Sequence, residues 1–387
     1  MHRILVLNGP NLDLLGVREP QVYGTTTLSE LDDQVREWGA ELGLEVETFQ
    51  SNHEGALIDR IHDSRTRVEG LVINAGALTH TGRAVQDALA AVELPAVEVH
   101  ISNVKEREPF RRETMLSPPS IHTIYGRGVS GYRWALRHLV HRSAMTFKRV
   151  AYGQFPDQFG DLRFPEGVEP ESRGKRLIVV LHGGLWRHEW TRDTIEGVAV
   201  DLTRRGYATW NLEYRRVGAG GGWPESFEDV ASALRAAPSI TGIPPQDTIV
   251  LGHSAGGTMS LWAGGLSADL APALVVGLAA MPDLVRAEVD DLGQGSIRRL
   301  LGRRHPDPAD YSPLHRLPTG TATMLAAAEG DELVPFSHGK DFAASASAAG
   351  DTVDFIEVGG AHSSFLGPET AAWKEVADFL RSRIPPV

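Results

Sequence analysis

NGPNLDLLGVREPQVYG, residues 8–24, follows the apolar run Ile4-Leu5-Val6-Leu7 and decides how the first part of the chain is read. Four consecutive apolar, β-prone residues predict a buried strand. Asn8-Gly9-Pro10-Asn11 stops it, because proline offers no N–H to a ladder while glycine and asparagine favour turns. The residues that follow are polar and rich in Asn and Arg, with one Tyr. In an open parallel α/β sheet, ligands bind beyond the carboxyl ends of the strands. A polar loop on a first strand therefore stands where chemistry is expected; the alternative is an ordinary surface loop.

Outward from this loop, strands alternate with amphipathic helices. Leu28, Leu31, Val35, Trp38 and Leu42 recur at helical spacing. Residues 44–48 read as a strand, 55–62 as a helix, 70–74 as a strand and 83–92 as a helix. Strands follow at 96–100 and 121–125, and a closing helix at 131–142. Five strands with intervening helices predict a doubly wound parallel sheet. Gly126-Arg127-Gly128-Val129-Ser130-Gly131 fits GxGxxG, but no acid follows on a second strand as a dinucleotide site requires. It reads as close backbone packing, with no cofactor.

Six segments in order resemble the type II 3-dehydroquinate dehydratases: NGPNLDLLGVREPQVYG (8–24), QSNHEGALIDRIH (50–62), LVINAGALTHTG (71–82), VEVHISN (97–103), FRR (110–112) and GRGVSGY (126–132). The resemblance implies a flavodoxin-like sheet over residues 1–143 and a homo-oligomer, usually a dodecamer. It implies Tyr23 as the base that removes a proton α to a ketone. A tyrosine ionises near pH 10, so lowering it by about two to three units needs about 3–4 kcal/mol of favourable interaction, which Arg18 in the same loop can supply. Asn11 resembles the residue that positions water at the enolate oxygen, and His100 the acid that protonates the leaving hydroxyl, oriented by Glu98. Asn74, His80, Ile101, Ser102 and Arg111 resemble the substrate-holding set, and Asp87 the acid supplied by a neighbouring subunit. Singly, Tyr23 reads as a packed aromatic and Glu98 and His100 as strand-end polar residues. Three places depart from the family: Asp13, Gly82 and Glu113-Thr114-Met115. Glu113 is expected to add negative charge near Arg111 and so to affect substrate affinity.

The 387 residues are too many for one such domain and suit two. With 42% apolar residues each half can bury a core, and the net charge of −12 argues against nucleic-acid and membrane-surface binding. The chain has 0 cysteines, which excludes disulfides, thiolate catalysis and Cys-ligated metals. Met1-His2-Arg3 leads straight into the first strand with no signal peptide, and no apolar run reaches spanning length, so a cytoplasmic enzyme acting on small molecules is expected. The 15 histidines show no paired ligand spacing, and His188-Glu189-Trp190 lacks a second histidine, so no metal is expected.

Residues 144–174 form the join. Tyr152, Phe155, Phe159 and Phe164 make it too aromatic for a floppy linker, and part of it is expected to supply early strands to the second domain, 175–387. There RLIVVL (176–181) runs into His182-Gly183-Gly184-Leu185-Trp186. A strand at 248–251 runs into Gly252-His253-Ser254-Ala255-Gly256-Gly257 and then an apolar helix. Strand, GxSxG turn and helix hold a serine hydroxyl above a sheet. Strands at 323–327 and 353–358 lead to Gly330-Asp331-Glu332 and Gly360-Ala361-His362. The order Ser, Asp, His is that of α/β-hydrolases.

The second half thus resembles an α/β-hydrolase of the HGG-type esterase and arylformamidase-like branch. The resemblance implies Ser254 as nucleophile, His362 as base, Asp331 as its orienting acid (Glu332 being a lesser candidate), and an oxyanion site at Gly184, Leu185 and Ala255. Gly218 to Gly222 reads as a flexible loop. Residues 282–318 read as a helical excursion over the serine. Its Arg298, Arg299, Arg303, Arg304 and His305, with Arg187, form either a solvated face or a selector for an anionic substrate. The expectation is a bifunctional enzyme whose hydrolase frees quinate- or shikimate-type acids from esters. The alternatives are an arylformamidase or general carboxylesterase, or a first half that serves only as an oligomerisation scaffold.

Overall fold

The computed structural model describes residues 2–116, 120–142, 147–165, 176–304 and 306–386. Glu166-Gly167, most of the charged run before Arg176, and His305 lie outside the described residues. The chain divides into two compact units, Met1–Ala144 and Met145–Val387.

The first unit is built on five parallel strands: β1 His2–Asn8, β2 Leu44–Gln50, β3 Gly70–Asn74, β4 Ala96–His100 and β5 His122–Tyr125. Their order is β2-β1-β3-β4-β5, the flavodoxin-like arrangement. Ile4 and Val6 of β1 enter one core cluster while Leu5 and Leu7 enter another on the opposite face. That two-sided burial is why the strand reads as an unbroken apolar run. Helix Leu28–Glu41 begins in a capping box: the Thr27 side chain accepts from Glu30 N, and the Glu30 carboxylate accepts from Thr27 N at 2.8 Å. Helix Arg83–Val92 buries Val85, Ala88, Leu89 and Val92, one stripe at 3.6-residue spacing.

The second unit carries an eight-stranded sheet, β13-β12-β11-β10-β8-β9-β7-β6. Its strands are β6 Lys148–Ala151, β7 Phe159–Arg163, β8 Leu177–Leu181, β9 Ala208–Leu212, β10 Thr248–His253, β11 Leu274–Leu278, β12 Thr323–Ala328 and β13 Val353–Val358. The β6–β7 hairpin joins β9 antiparallel at the edge, and the remaining pairings are parallel. This matches the α/β-hydrolase class read from the sequence. Between β11 and β12 the chain makes the excursion Leu284–Val289, Ser296–Leu301 and Pro308–Tyr311. Trp186, Trp210, Phe227 and Met259 anchor the core, each with no exposed surface. Among the described residues, no helix is long and apolar enough to cross a membrane.

Candidate active sites

In the first unit, β1, β3 and β4 end side by side, with Asn8 in register with Asn74. Loop residues Asn11, Arg18 and Tyr23 line a cavity of ≈ 120 Å³ there with Asn74 at the end of β3, His80 beyond it, His100, Ile101 and Ser102 at the end of β4, and Arg107 and Arg111. The loop leaves β1 tightly against residue 75: a Cβ on Gly9 would lie 2.5 Å from the Ala75 carbonyl oxygen.

Tyr23 ends a single helical turn, Pro20–Tyr23. Arg107 Nη1 donates to its hydroxyl at 2.8 Å. The Arg18 guanidinium stands 5.5 Å and that of Arg107 5.8 Å from the ring centroid. Arg18 is paired with its neighbour Glu19 at 3.0 Å. The cation that bonds the phenol oxygen is therefore Arg107, which sequence reasoning did not name. Its contact with Tyr23, through the hydrogen bond first, raises the Arg107 pKa still further.

Glu98 is fully buried on β4, and His100 Nε2 lies 3.1 Å from its carboxylate. No hydrogen bond is formed there, and the contact is an ion pair when the ring is protonated. Burial by itself would raise the Glu98 carboxyl. His100 and the hydroxyls of Thr79 and Thr114 outweigh burial and hold it below the usual range. Thr114 Oγ1 donates to Glu98 at 2.7 Å and Thr123 Oγ1 at 3.2 Å, while Thr79 also bonds it. A carboxylate kept ionised beside an imidazole suits a histidine that must act as an acid.

Asn11 sits in the left-handed region at φ 68, and its N–H donates to Asn52 Oδ1 at 2.8 Å. Asp13, one of the departures from the family, accepts from Asn52 Nδ2 at 3.1 Å and so ties the loop to the turn after β2. His80 Nδ1 lies 2.7 Å from the Glu113 carbonyl oxygen, and its ring meets Phe110 edge-on. The acid paired with Arg111 is Glu108, 3.1 Å from Nε, and Glu113 meets His80 through its main-chain carbonyl. Asp87 is exposed on helix Arg83–Val92 and does not line the cavity. Gly131, the last glycine of the GxGxxG run, packs against the sheet, where a Cβ would meet Val99 Cγ1 at 3.2 Å.

In the second unit, Ser254 stands between β10 and helix Ala255–Ala263 at φ 54, ψ −121. A non-glycine residue held there costs about 1–3 kcal/mol, which the neighbouring glycines make bearable. A Cβ on Gly252 would lie 2.1 Å from the Gly256 carbonyl oxygen, and one on Gly256 2.2 Å from that of Leu181. Asp331 follows β12 and His362 follows β13, with His362 Nδ1 2.8 Å from Asp331 Oδ2. The other Asp331 oxygen accepts from the N–H groups of Leu333 and Val334 at 2.9 and 2.8 Å. Burial opposes ionisation of Asp331, but the His362 contact and these N–H groups prevail and its pKa is lowered. Among the described residues His362 Nδ1 pairs with Asp331 and not with Glu332. His253 Nε2 donates to the His362 carbonyl at 2.9 Å, and burial, with His362 nearby, pushes its pKa down to about 3.

The turn after β8 presses on the serine: a Cβ on Gly183 would come within 3.0 Å of Ser254 Cβ. Gly184, Leu185 and Trp186 follow at φ 108, 54 and 56. Three left-handed residues in a row need support, and a buried polar set supplies it. His182 Nε2 lies 3.0 Å from Glu213 Oε1, and Arg216 Nη1 donates to the carbonyls of His188 and Trp190 at 3.1 and 2.7 Å. Burial opposes the Glu213 charge, yet Arg216, His182 and Arg192 bring its pKa down to about 2. Arg192 in turn bonds Asp161 of β7 at 2.7 Å. Within Gly218 to Gly222 the backbone is tight at Gly221, where a Cβ would lie 2.2 Å from the Arg215 carbonyl carbon, and at Gly218, where one would lie 2.5 Å from His188, while Gly220 faces open space.

Most of the arginines considered for anion binding have partners. Arg187 pairs with buried Glu189, Arg298 lies 3.6 Å from Glu288, Arg299 donates to Ser296 Oγ at 3.1 Å, and Arg304 lies 3.0 Å from Glu225. Arg303 is exposed. Among the described residues there is no group of three or more His, Asp or Glu able to hold a metal ion.

The family model described as Dehydroquinase class II matches residues 2–140, and that described as BD-FAE matches residues 161–345. A catabolic 3-dehydroquinase of Emericella nidulans is 50% identical over 145 residues, covering 38% of this chain and 92% of the relative. A 3-dehydroquinate dehydratase of Endomicrobium trichonymphae is 49% identical over 140 residues, covering 36% and 98%. Among solved structures, a thermophilic esterase from Thermogutta terrifontis aligns with TM-score 0.54 at 21% identity, covering 63% of this chain and 95% of that one. At that identity the likeness shows the fold alone.

Proposed function

The chain belongs to the class II dehydroquinase family through residues 2–140, and from that premise we propose that its first unit dehydrates 3-dehydroquinate to 3-dehydroshikimate. The reading is carried by one observation: Tyr23 bonded to Arg107 and His100 beside ionised Glu98 line one cavity. Tyr23 oxygen takes the proton α to the ketone, and the electron pair moves onto the carbonyl oxygen as an enolate. Water held by Asn11 stabilises that oxygen. The enolate then collapses to the conjugated enone as the C–O bond breaks, and His100 protonates the departing hydroxyl, which leaves as water. Asn74, His80, Ile101, Ser102 and Arg111 hold the substrate, and Asp87 of another subunit completes the site in a homo-oligomer. Formation of the conjugated enone in the ultraviolet tests this. Wild type should produce it and Tyr23→Phe should not; a large oligomer with no turnover would leave the first unit as a scaffold.

The second unit, in this reading, is a serine hydrolase of carboxylic esters. Ser254 attacks the carbonyl, His362 takes its proton and returns it to the leaving alcohol, and Asp331 holds the imidazole. The N–H groups of Ala255, Gly184 and Leu185 receive the oxyanion, each worth about 3–4 kcal/mol in the barrier. Its substrates are acyl esters of quinate or shikimate, a class suggested by covalent pairing with a dehydroquinase. With most of the nearby arginines already paired, that pairing carries the substrate assignment alone. Mass spectrometry of an acylated quinate incubated with wild type and Ser254→Ala decides it, with N-formylkynurenine as competitor. Hydrolysis by wild type only supports the reading; an intact ester with rapid formamide cleavage replaces it.

A further inference from the structure

The dehydration site rests on a hydroxyl that no substrate can reach. Tyr132 has no exposed surface and lies near the start of helix Ser130–Arg142, which follows β5. Its oxygen accepts from Asn74 Nδ2 at 2.9 Å and donates to Asn8 Oδ1 at 2.6 Å. The two asparagines end β1 and β3 and face each other in register. We propose that Tyr132 is a positioning residue of the first site, fixing which way round the Asn74 carboxamide meets the substrate. This rests on the dehydratase reading and adds a residue that acts through Asn74.

A hydroxyl carries one proton. Between two carboxamides it must receive an N–H from one and give its proton to the oxygen of the other. The Gly76 N–H decides which, because it donates to Asn74 Oδ1 at 3.3 Å. Asn74 must therefore turn its nitrogen to Tyr132, and the Tyr132 proton goes to Asn8. One N–H and one oxygen lone pair of Asn74 remain for the cavity it lines. That donor–acceptor pair matches a hydroxyl-bearing ring, and a flipped amide would present the two in reverse. Burial keeps the Tyr132 hydroxyl protonated across the working pH range, so the pattern does not change with pH. The Asn8 Nδ2 group, by contrast, is buried with no partner among the described residues, so the network holds orientation at the expense of one unsatisfied group. Gly131 lets the helix approach Val99 and Ile124, which sets the depth of the next residue, Tyr132.

The test is a double-mutant cycle on the full chain, read as kcat/KM for 3-dehydroquinate. Tyr132→Phe should lower it roughly 5- to 20-fold. In an Asn74→Ala background the same change should cost less than about 2-fold, because its target is already gone. Thermal melts of the same molecules, resolved into the transition of each unit, report whether the first unit keeps its fold. Should Tyr132→Phe fail to fold, Asn8→Ala removes the proton acceptor from the opposite side and enters the same cycle. Losses that multiply in the double variant, or a Tyr132→Phe chain with wild-type kcat/KM, overturn the assignment. A wild type without turnover would instead sink the dehydratase reading itself.

Discussion

Arg107 and Arg18 flank the same phenol, but only Arg107 bonds its oxygen, across 84 residues of chain. Arg107→Ala is therefore expected to reduce dehydration kcat/KM roughly 10- to 100-fold, the worth of a hydrogen bond to a charged partner. Arg18→Ala should cost clearly less, since its Nε is engaged by Glu19. Steady-state kinetics of the two variants checks the order. Sequence reasoning chose Arg18 because it lies in the loop of Tyr23. Arg107 precedes a short turn, Pro109–Arg111, where no hydrophobic period places a side chain. Tyr132 was equally hidden: it sits in a quoted segment, yet a buried tyrosine at a helix start reads as core. Thr114 was visible only as a departure from the family, and the structure places its hydroxyl on Glu98. Residues at strand ends were legible because chemistry gathers there. Their partners were not, because contact across a fold leaves no spacing to read.

The turn that presents Ser254 depends on backbone closeness, and its glycines differ in consequence. Gly256→Ala drives a methyl to 2.2 Å from the Leu181 carbonyl oxygen, inside the sheet-to-helix contact, and should prevent a stable second unit. Gly183→Ala meets His253 and Ser254 at 2.9–3.0 Å, so the unit should fold with ester hydrolysis reduced at least 10-fold. Thermal melts beside esterase assays separate the two effects. Glu213→Gln tests the support of the oxyanion turn: removing a buried charge among Arg216, Arg192 and His182 should lower kcat more than it changes KM, with a stability loss on the order of 3–5 kcal/mol. The parallel strands were legible because both faces are buried and the sequence is apolar throughout. Early strands were expected within 144–174 and β6 and β7 lie there, but the bounds of β7 were not legible, since FGDLR buries Asp161 and Arg163 and a charged strand imitates a loop. The close contacts of Gly218 and Gly221 were not legible either, because glycine serves tight packing as well as freedom.

Two units with separate cores should respond to acid separately. A histidine free in the unfolded chain takes a proton near pH 6.5, whereas His253, buried, waits until about 3. Its contribution to stability is thus complete above pH 6.5 and is lost as pH falls toward 3; Glu213, depressed to about 2, adds a loss that begins near 4.5. His338 is pushed in the same direction as His253 by burial. Calorimetry should show the transition of the second unit falling between pH 6.5 and 5, where the ionised Glu98 of the first unit is not yet affected. His253→Asn should flatten that slope in part. The hairpin β6–β7 also bears on how the molecule can be divided. Asp161 on β7 bonds both Arg149 of β6 and Arg192, and Arg163 pairs with Glu196. A chain trimmed to begin at β8 would look complete by its glycine turns and its serine, yet it would bare the long edge of β9 and strand Arg192 and Glu196 beneath it. Trimming at residue 161 would split the hairpin. The natural seam for genetic dissection lies ahead of Lys148, and an esterase expressed from a later start should be recovered aggregated.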